Sequence, residues 1–286
     1  MISDVLDVMV TAFLLAIDVG NSRIKFGLFD SAACGRAAMK LPECLRTLAV
    51  PVAEEVPWNE IRAWCDPRGV EVHGVLAGAN PQGIARVVDT WPDEWPAPQV
   101  ISEPTHVPIA TRLIYPRRVG IDRVLNAVAA NVVRPSGQSV IVVDSGTATT
   151  VDLVGPDGLF EGGAILPGFE LCARALHYYT ALLPLISMDE LDTQSNEPLG
   201  RETRAALRSG LFWGQLGAVK ELVARLSEPP AKQGPDRSAA GTSGTKPLVL
   251  LTGGGSGLLG PHLPEARFER FLSLQGLALS ARATRS

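Results

Sequence analysis

The sequence lacks the features that would mark several protein classes. No uninterrupted apolar run reaches about 18 residues, so no membrane-spanning helix is expected. The four cysteines, Cys34, Cys44, Cys65 and Cys172, form no CxxC pair and no Cys/His spacing. That argues against a zinc site or a disulfide framework and makes reduced, mostly buried thiols the expectation. His73, His106, His177 and His262 also lack ligand spacing and read as surface or satisfied core residues. Positive charge is not in excess: 26 Lys and Arg against 30 Asp and Glu leave a formal charge of -4, so no global field gathers a phosphate backbone. A local basic strip such as Arg117, Arg118 and Arg123 stays open as a reading, but nucleic acid is not an expected partner. The start, MISDVLDVMVTAFLLAIDVG, is apolar but carries Asp4 and Asp7 where a secretory signal needs positive charge. It is expected to be retained, with residues 1 to 12 a loose extension, and a cytoplasmic location follows as an expectation.

What is present suits a soluble α/β protein. At 286 residues the chain exceeds what one hydrophobic core usually organises, so two domains are expected. Apolar, β-branched runs predict strands at 13–19, 23–29, 70–78, 139–145, 149–155 and 248–254. Helical spacing appears in PWNEIRAWC, DRVLNAVAANVV, FELCARALHYYTALL, ETRAALRSGLFWGQLGAVKELVARL and PEARFERFLSLQGLAL. Alternation of the two predicts mixed sheets covered by helices. The stretch 227–247, rich in Pro, Gly, Ser and charge, reads as a mobile surface loop. YPRRVG (115–120) is the best candidate for a crossover, dividing the chain into 1–118 and 119–286.

One signal is written twice. LLAIDVGNSRIKFGLF and VIVVDSGTATTVDLVG each read as strand, D-x-G-[NT], second strand, which implies two homologous halves. At such a turn Gly lets backbone N–H groups approach an anion, Asn, Ser or Thr adds donors, and the Asp offers oxygen to a hard cation. Two such loops facing one another across a cleft can hold a nucleotide's phosphates and metal. One copy alone would read as an ordinary hairpin turn; the repeat favours phosphate loops.

Other motifs are weighed against plainer readings. GGAILPG (162–168) reads as a Gly-rich turn followed by a Pro-defined helix start near Phe169, with Gly162 and Gly163 chosen for backbone clearance. Gly255, Gly257 and Gly260 make G-x-G-x-x-G, but only 26 residues follow, too few to continue a dinucleotide fold. A loop near the base end of a bound nucleotide fits better. Asp152 reads equally as a solvated strand end or a site residue. Trp58, Trp64, Trp91, Trp95 and Trp213 are expected to pack or to line a subunit contact.

Five motifs in order, DVGNSRIK (18–25), P-x-x-V-G-I-D-R (116–123), DSGTATTVD (144–152), GGAILPG and TGG (252–254), resemble those of type III pantothenate kinase, from residue 13 to about 280. That family is a member of the acetate kinase, sugar kinase, Hsp70 and actin superfamily. The resemblance implies two ribonuclease-H-like (actin-like ATPase) domains of duplicated topology, with mixed sheets flanked by helices and an ATP cleft between them. It implies ATP-dependent phosphorylation of the 4'-hydroxyl of pantothenate, the first step towards coenzyme A.

By the same resemblance, Asp18 binds magnesium, and Val19, Gly20, Asn21, Ser22, Arg23, Ile24 and Lys25 complete the first ATP loop. For Lys25 a solvated strand position is nearly as good a reading. Thr147 is the second phosphate contact, and Asp144 is the ligand of an activating potassium or ammonium ion. Asp122 is the general base, although an Asp before VLNAVAANVV would also cap a helix. Gly120, Ile121, Arg123 and Thr203 join Asp122 at the substrate. The family's substrate-contacting Tyr stands seven residues before the Gly of G-x-D-R; Leu113 is there in this chain, and Tyr115, five before, either replaces it or packs. A homodimer is implied, with the helix around Leu211, Phe212 and Trp213 as contact face or as core. Two other readings stay open: a superfamily kinase or phosphatase with another small substrate, and a non-enzymatic transcription accessory factor.

Overall fold

The computed structural model describes residues 12–35, 38, 40–65, 70–193, 196–228 and 245–281. Most of the expected N-terminal extension and of the 227–247 loop lie outside these residues. Two compact units result. The first joins the described residues up to Pro108 with Arg117–Val132 and the chain from Ser273 on; the second is Ile109–Pro116 with Val133–Leu272.

The first unit holds β1 (Ala12–Val19), β2 (Arg23–Asp30), β3 (Arg46–Pro51), α1 (Trp58–Cys65), β4 (Glu71–Gly78), α2 (Pro81–Asp89) and β5 (Gln99–Val100), followed by α3 (Ile121–Val133). Its sheet order is β3-β2-β1-β4-β5. Strands β1 to β3 form an antiparallel meander, while β4 runs parallel to both β1 and β5. Central β1 is buried on both faces, as the near-continuous apolar run before Asp18 requires. On one face Leu15, Ile17 and Val19 meet Phe26, Ile61, Leu76 and Val87 in a core. Trp58, Trp91 and Trp95 pack edge-on against one another beside it, as expected of packing aromatics.

The second unit repeats the order. It runs β6 (Val140–Ser145), β7 (Ala148–Val154), β8 (Phe160–Pro167), α4 (Phe169–Tyr178), α5 (Met188–Thr193), α6 (Thr203–Ser227), β9 (Leu248–Thr252), α7 (Ser256–Leu259) and β10 (Ala266–Phe268). Read from β8, its sheet is β8-β7-β6-β9-β10, the same pattern as β3-β2-β1-β4-β5. Long α6 lays Leu207, Leu211, Phe212, Leu216, Val219 and Val223 on the β6, β7 and β9 side chains. Leu211 and Phe212 are thus core.

The last helix, α8 (Leu272–Ser280), follows β10 as α3 follows β5, yet it packs in the first unit. The expected division at 118/119 therefore differs from the observed one, which assigns both α3 and the chain beyond Ser273 to the first unit. The contacts explain this. Leu274 Cδ1 stands 3.1 Å from where a Cβ on Gly27 of β2 would sit, and a Cβ on Gly276 would come within 1.9 Å of the Leu125 carbonyl on α3. Gly276 lets the two helix backbones approach closely, and Gly27 leaves room for the Leu274 side chain, so α8 seats against β2 and α3 together.

Several sequence expectations are corrected. GGAILPG is strand, not turn: β8 spans it to Pro167, and Gly162 takes φ +100 beside the register shift at Leu153/Val154. The expected helix over PEARFERFLSLQGLAL is two elements, β10 parallel to β9 and then α8. FELCARALHYYTALL stops being helical at Tyr178, and the following Tyr179 and Leu182 are exposed, so no buried face carries the helix on. Of the cysteines only Cys65 is buried; the other three are half-buried, and none forms a disulfide. Burial, aided by the Asp30 carboxylate, pushes the Cys34 thiol up to about 12. Cys34 is therefore expected to stay unlabelled by a thiol reagent at pH 8 and to react once denaturant is added. Rapid labelling in the native protein, located by peptide mass mapping, would contradict this.

Candidate active site

In the first unit the β1–β2 hairpin builds one candidate centre. Asp18, one residue before the end of β1, is only 4% exposed. A buried carboxylate needs partners. Lys25, its cross-strand neighbour, brings Nζ to 3.6 Å from Oδ2, and the Ser273 hydroxyl donates to the same oxygen at 2.8 Å. Lys25 is thus more than a solvated strand residue. Gly20, Asn21 and Ser22 form the turn, closed by the Gly20 N–H donating to the Arg23 carbonyl at 2.9 Å. Val19 and Ile24 are fully buried in the core, so only their main chain can serve a ligand.

The second element is the start of α3. Asp122 lies within its first turn, not at the capping position, and its Oδ1 accepts from the Arg123 N–H at 3.0 Å. A first-turn carboxylate still suits the positive end of the helix dipole. A Cβ on Gly120 would stand 2.6 Å from that Oδ1, so this glycine makes room for the carboxylate. Ile121 is buried and offers main chain only. Arg117, in the basic strip, reaches Glu103 at 3.9 Å.

In the second unit the β6–β7 hairpin carries Asp144 and Thr147. Its turn is one residue shorter than the first: Asp144 pairs with Thr150, six positions on, where Asp18 pairs with Lys25, seven on. Thr252 of β9 flanks Asp144 on its other side. The loop after β9 closes on this corner. Gly253, at φ +88, would place a Cβ 2.4 Å from Asp144 Oδ1, and the Gly255 N–H donates to the Ser145 carbonyl at 2.8 Å. Between β8 and α4, the Gly168 N–H donates to the Thr147 carbonyl at 3.0 Å, and its Cβ would fall 2.3 Å from the Gly146 oxygen. Thr147 itself is exposed at the turn.

The remaining residues of the second unit are more scattered. Asp152 is 1% exposed in the middle of β7, which removes the solvated strand-end reading. A Cβ on its neighbour Gly163 would meet the Val151 carbonyl at 2.1 Å, so clearance does explain this glycine. Thr203 is the exposed first residue of α6, next to the N-cap Glu202. The N–H groups of Arg204 and Ala205 hold the Glu202 carboxyl below its usual range. Tyr115 is 64% exposed, while Leu113 is the side chain that meets Gly162.

The sequence reading missed a cavity of about 490 Å³ in the second unit, lined among others by Asn196, Phe212, Trp213, Gly257, Leu258 and His262. His262 stacks edge-on against Phe212 and Trp213. The Trp213 N–H donates to the Asn196 carbonyl at 2.8 Å, and the buried Asn196 Oδ1 has no hydrogen-bond partner. Gly257, from the G-x-G-x-x-G stretch, was the available hint. Nothing in the sequence pointed to Ser273.

Donor chemistry sets what ions could bind. Among the described residues no three His, Cys, Asp or Glu side chains gather to hold a metal. A magnesium ion here would take one carboxylate and draw its other ligands from phosphates and water, a set it accepts readily. Beside Asp144, the buried hydroxyl oxygen of Thr150 lacks a partner. Oxygen of this kind is what a hard monovalent cation takes.

Two five-stranded sheets of one repeated order, each with an Asp-bearing hairpin corner, define the class: a duplicated, actin-like ATPase fold. Solved structures agree on that fold. A conserved Baf-family protein of Campylobacter jejuni, described as a transcriptional activator, superposes with a TM-score of 0.53 at 17% identity over 92% of this chain and 94% of that one. The activator of 2-hydroxyisocaproyl-CoA dehydratase from Clostridium difficile gives 0.50 at 12% identity over 93% and 92%. The family model for type III pantothenate kinase matches residues 14–225. Type III pantothenate kinases of Caulobacter vibrioides and Streptomyces griseus are 33% and 34% identical, covering 82% and 93% of this chain and 87% and 96% of theirs. The chain belongs to the type III pantothenate kinase family.

Proposed function

We propose that this chain transfers the γ-phosphoryl group of ATP to the 4'-hydroxyl of pantothenate. The family match across residues 14–225, which includes Asp18, Asp122, Arg123 and Asp144, carries this reading. Phosphoryl transfer asks little covalent chemistry of a protein; it asks for in-line positioning, charge neutralisation and a proton acceptor. Asp122 accepts the hydroxyl proton as the oxygen attacks phosphorus, and Arg123 binds substrate or developing negative charge. The turn amides at Gly20 to Ser22, with Lys25, and the turn at Thr147 receive phosphate oxygens. Magnesium, held by Asp18, would neutralise β- and γ-phosphate charge. Potassium or ammonium at Asp144 would offset charge nearby. Gly120, Thr203 and Tyr115 are assigned to the substrate, Tyr115 in place of the family's tyrosine.

The adenosine end is assigned to the cavity around Gly257. Aromatic walls and an unsatisfied amide oxygen suit a base that carries an amino donor. The second unit also exposes Tyr178, Tyr179 and Leu182 at 80%, 82% and 91%, apolar surface that supports a homodimer. No helix among the described residues is long and apolar enough to cross a membrane. We assign the enzyme to the cytoplasm, in keeping with a metabolic kinase of this family.

Purified chain supplied with ATP, magnesium, potassium and pantothenate should yield phosphopantothenate and ADP in equal amounts. ATP binding without product would overturn the reading in favour of another substrate or a non-enzymatic role. Omitting monovalent cations should depress turnover; unchanged turnover in a cation-free buffer rejects the Asp144 assignment.

A further inference from the structure

We propose that Ser273 is a positioning residue for the Asp18 carboxylate, so that the C-terminal helix tunes metal binding at the first phosphate loop. The inference rests on the reading of Asp18 as the magnesium ligand. Ser273 Oγ donates to Asp18 Oδ2 at 2.8 Å although the two stand 255 positions apart, and both are buried, at 7% and 4% exposure. Asp18 lies on the same face of the sheet as Gly27, because alternate positions of β1 share a face and Ala16 pairs with Gly27 as Asp18 pairs with Lys25. On that face Leu274 Cδ1 stands 3.1 Å from where a Cβ on Gly27 would lie. Gly276 seats the same helix against the Leu125 backbone of α3. The Ser273 hydroxyl is therefore held by a helix whose approach is fixed at two other points.

A hydroxyl directed at one carboxylate oxygen fixes the plane of the group. Among the described residues, both partners of Asp18, Ser273 and Lys25, meet Oδ2. The carboxylate is thus held in one rotamer through Oδ2, which leaves Oδ1 as the oxygen for a cation. Lys25 alone would hold it less well: at 3.6 Å and with a side chain 42% exposed, it is a longer and wetter contact. Hydrogen-bond partners of metal ligands commonly govern affinity by about ten-fold or more.

The test compares Ser273→Ala, Ser273→Thr and Asp18→Asn in the full chain, using manganese binding in the presence of ADP, read by electron paramagnetic resonance, beside the magnesium activation curve. Ser273→Ala should weaken manganese binding and raise the half-activating magnesium concentration by about ten-fold, with pantothenate KM unchanged, and Ser273→Thr should restore both. A Ser273→Ala protein that melts lower but binds manganese as the parent does would overturn the inference and assign the serine to packing alone. Asp18→Asn separates the two levels. If it abolishes manganese binding while Ser273→Ala has no effect, only the positioning role fails. If manganese binding survives Asp18→Asn, the reading of Asp18 fails and the role of Ser273 falls with it.

Discussion

Asp122→Asn is expected to lower kcat by about 10² to 10⁴, the range that general acid–base groups supply, while nucleotide affinity changes little. The amide is isosteric and can still accept the Arg123 N–H through its oxygen, so the turn at Gly120 should survive. What it cannot do is take the hydroxyl proton. The prediction requires parallel measurement of kcat and of ATP-analogue binding. Loss of both together would point to a disturbed helix start, and retention of kcat would remove Asp122 from the chemistry.

Gly253→Ala is expected to cost about 1–3 kcal/mol of stability from the left-handed backbone alone, and to reduce turnover by more than the loss of folded protein explains. The physical reason is specific. Gly253 has φ +88, and a methyl group there would meet Asp144 Oδ1 at 2.4 Å and the Ser145 carbonyl at 2.5 Å. Relief comes only by moving the end of β6, and with it the carboxylate assigned to the monovalent cation. The adjacent Gly254 supplies the control: nothing lies within 4 Å of a Cβ built on it, and its φ is not in the left-handed region. Gly254→Ala should therefore melt close to the parent. Thermal denaturation and potassium activation of the two variants check the claim; equal melting temperatures would refute it.

The two Asp-bearing hairpins were legible because their signal is local. A strand pair closed by a three- or two-residue turn carries its pattern in about fifteen consecutive residues, and the structure reproduces β1, β2, β6 and β7 nearly as read. Helix α2 was missed even though Asn80 caps it and Pro81 opens it, a signal that could have been used. Strands β3 and β10 were not readable in the same way. Both lie at the edge of a sheet and bury no residue fully; β10 is three residues long and β3 alternates only through Leu48 and Val50, so their conformation is set by the partner strand. The glycines of TGG and GGAILPG were visible as motifs, but their purpose was not, since the atoms they make room for belong to Asp144, Gly146 and Val151.

From the residues alone follow the repeated corner with its acidic residue, the α/β character and the order of the motifs, because hydrogen bonding and alternation act between near neighbours. Only the folded chain could decide that α8 leaves the repeat to which it belongs in sequence and brings Ser273 to Asp18. That choice depends on a backbone approach at Gly276 and on the room that Gly27 leaves for the Leu274 side chain. Close packing between segments more than 100 residues apart has no local spacing by which to announce itself.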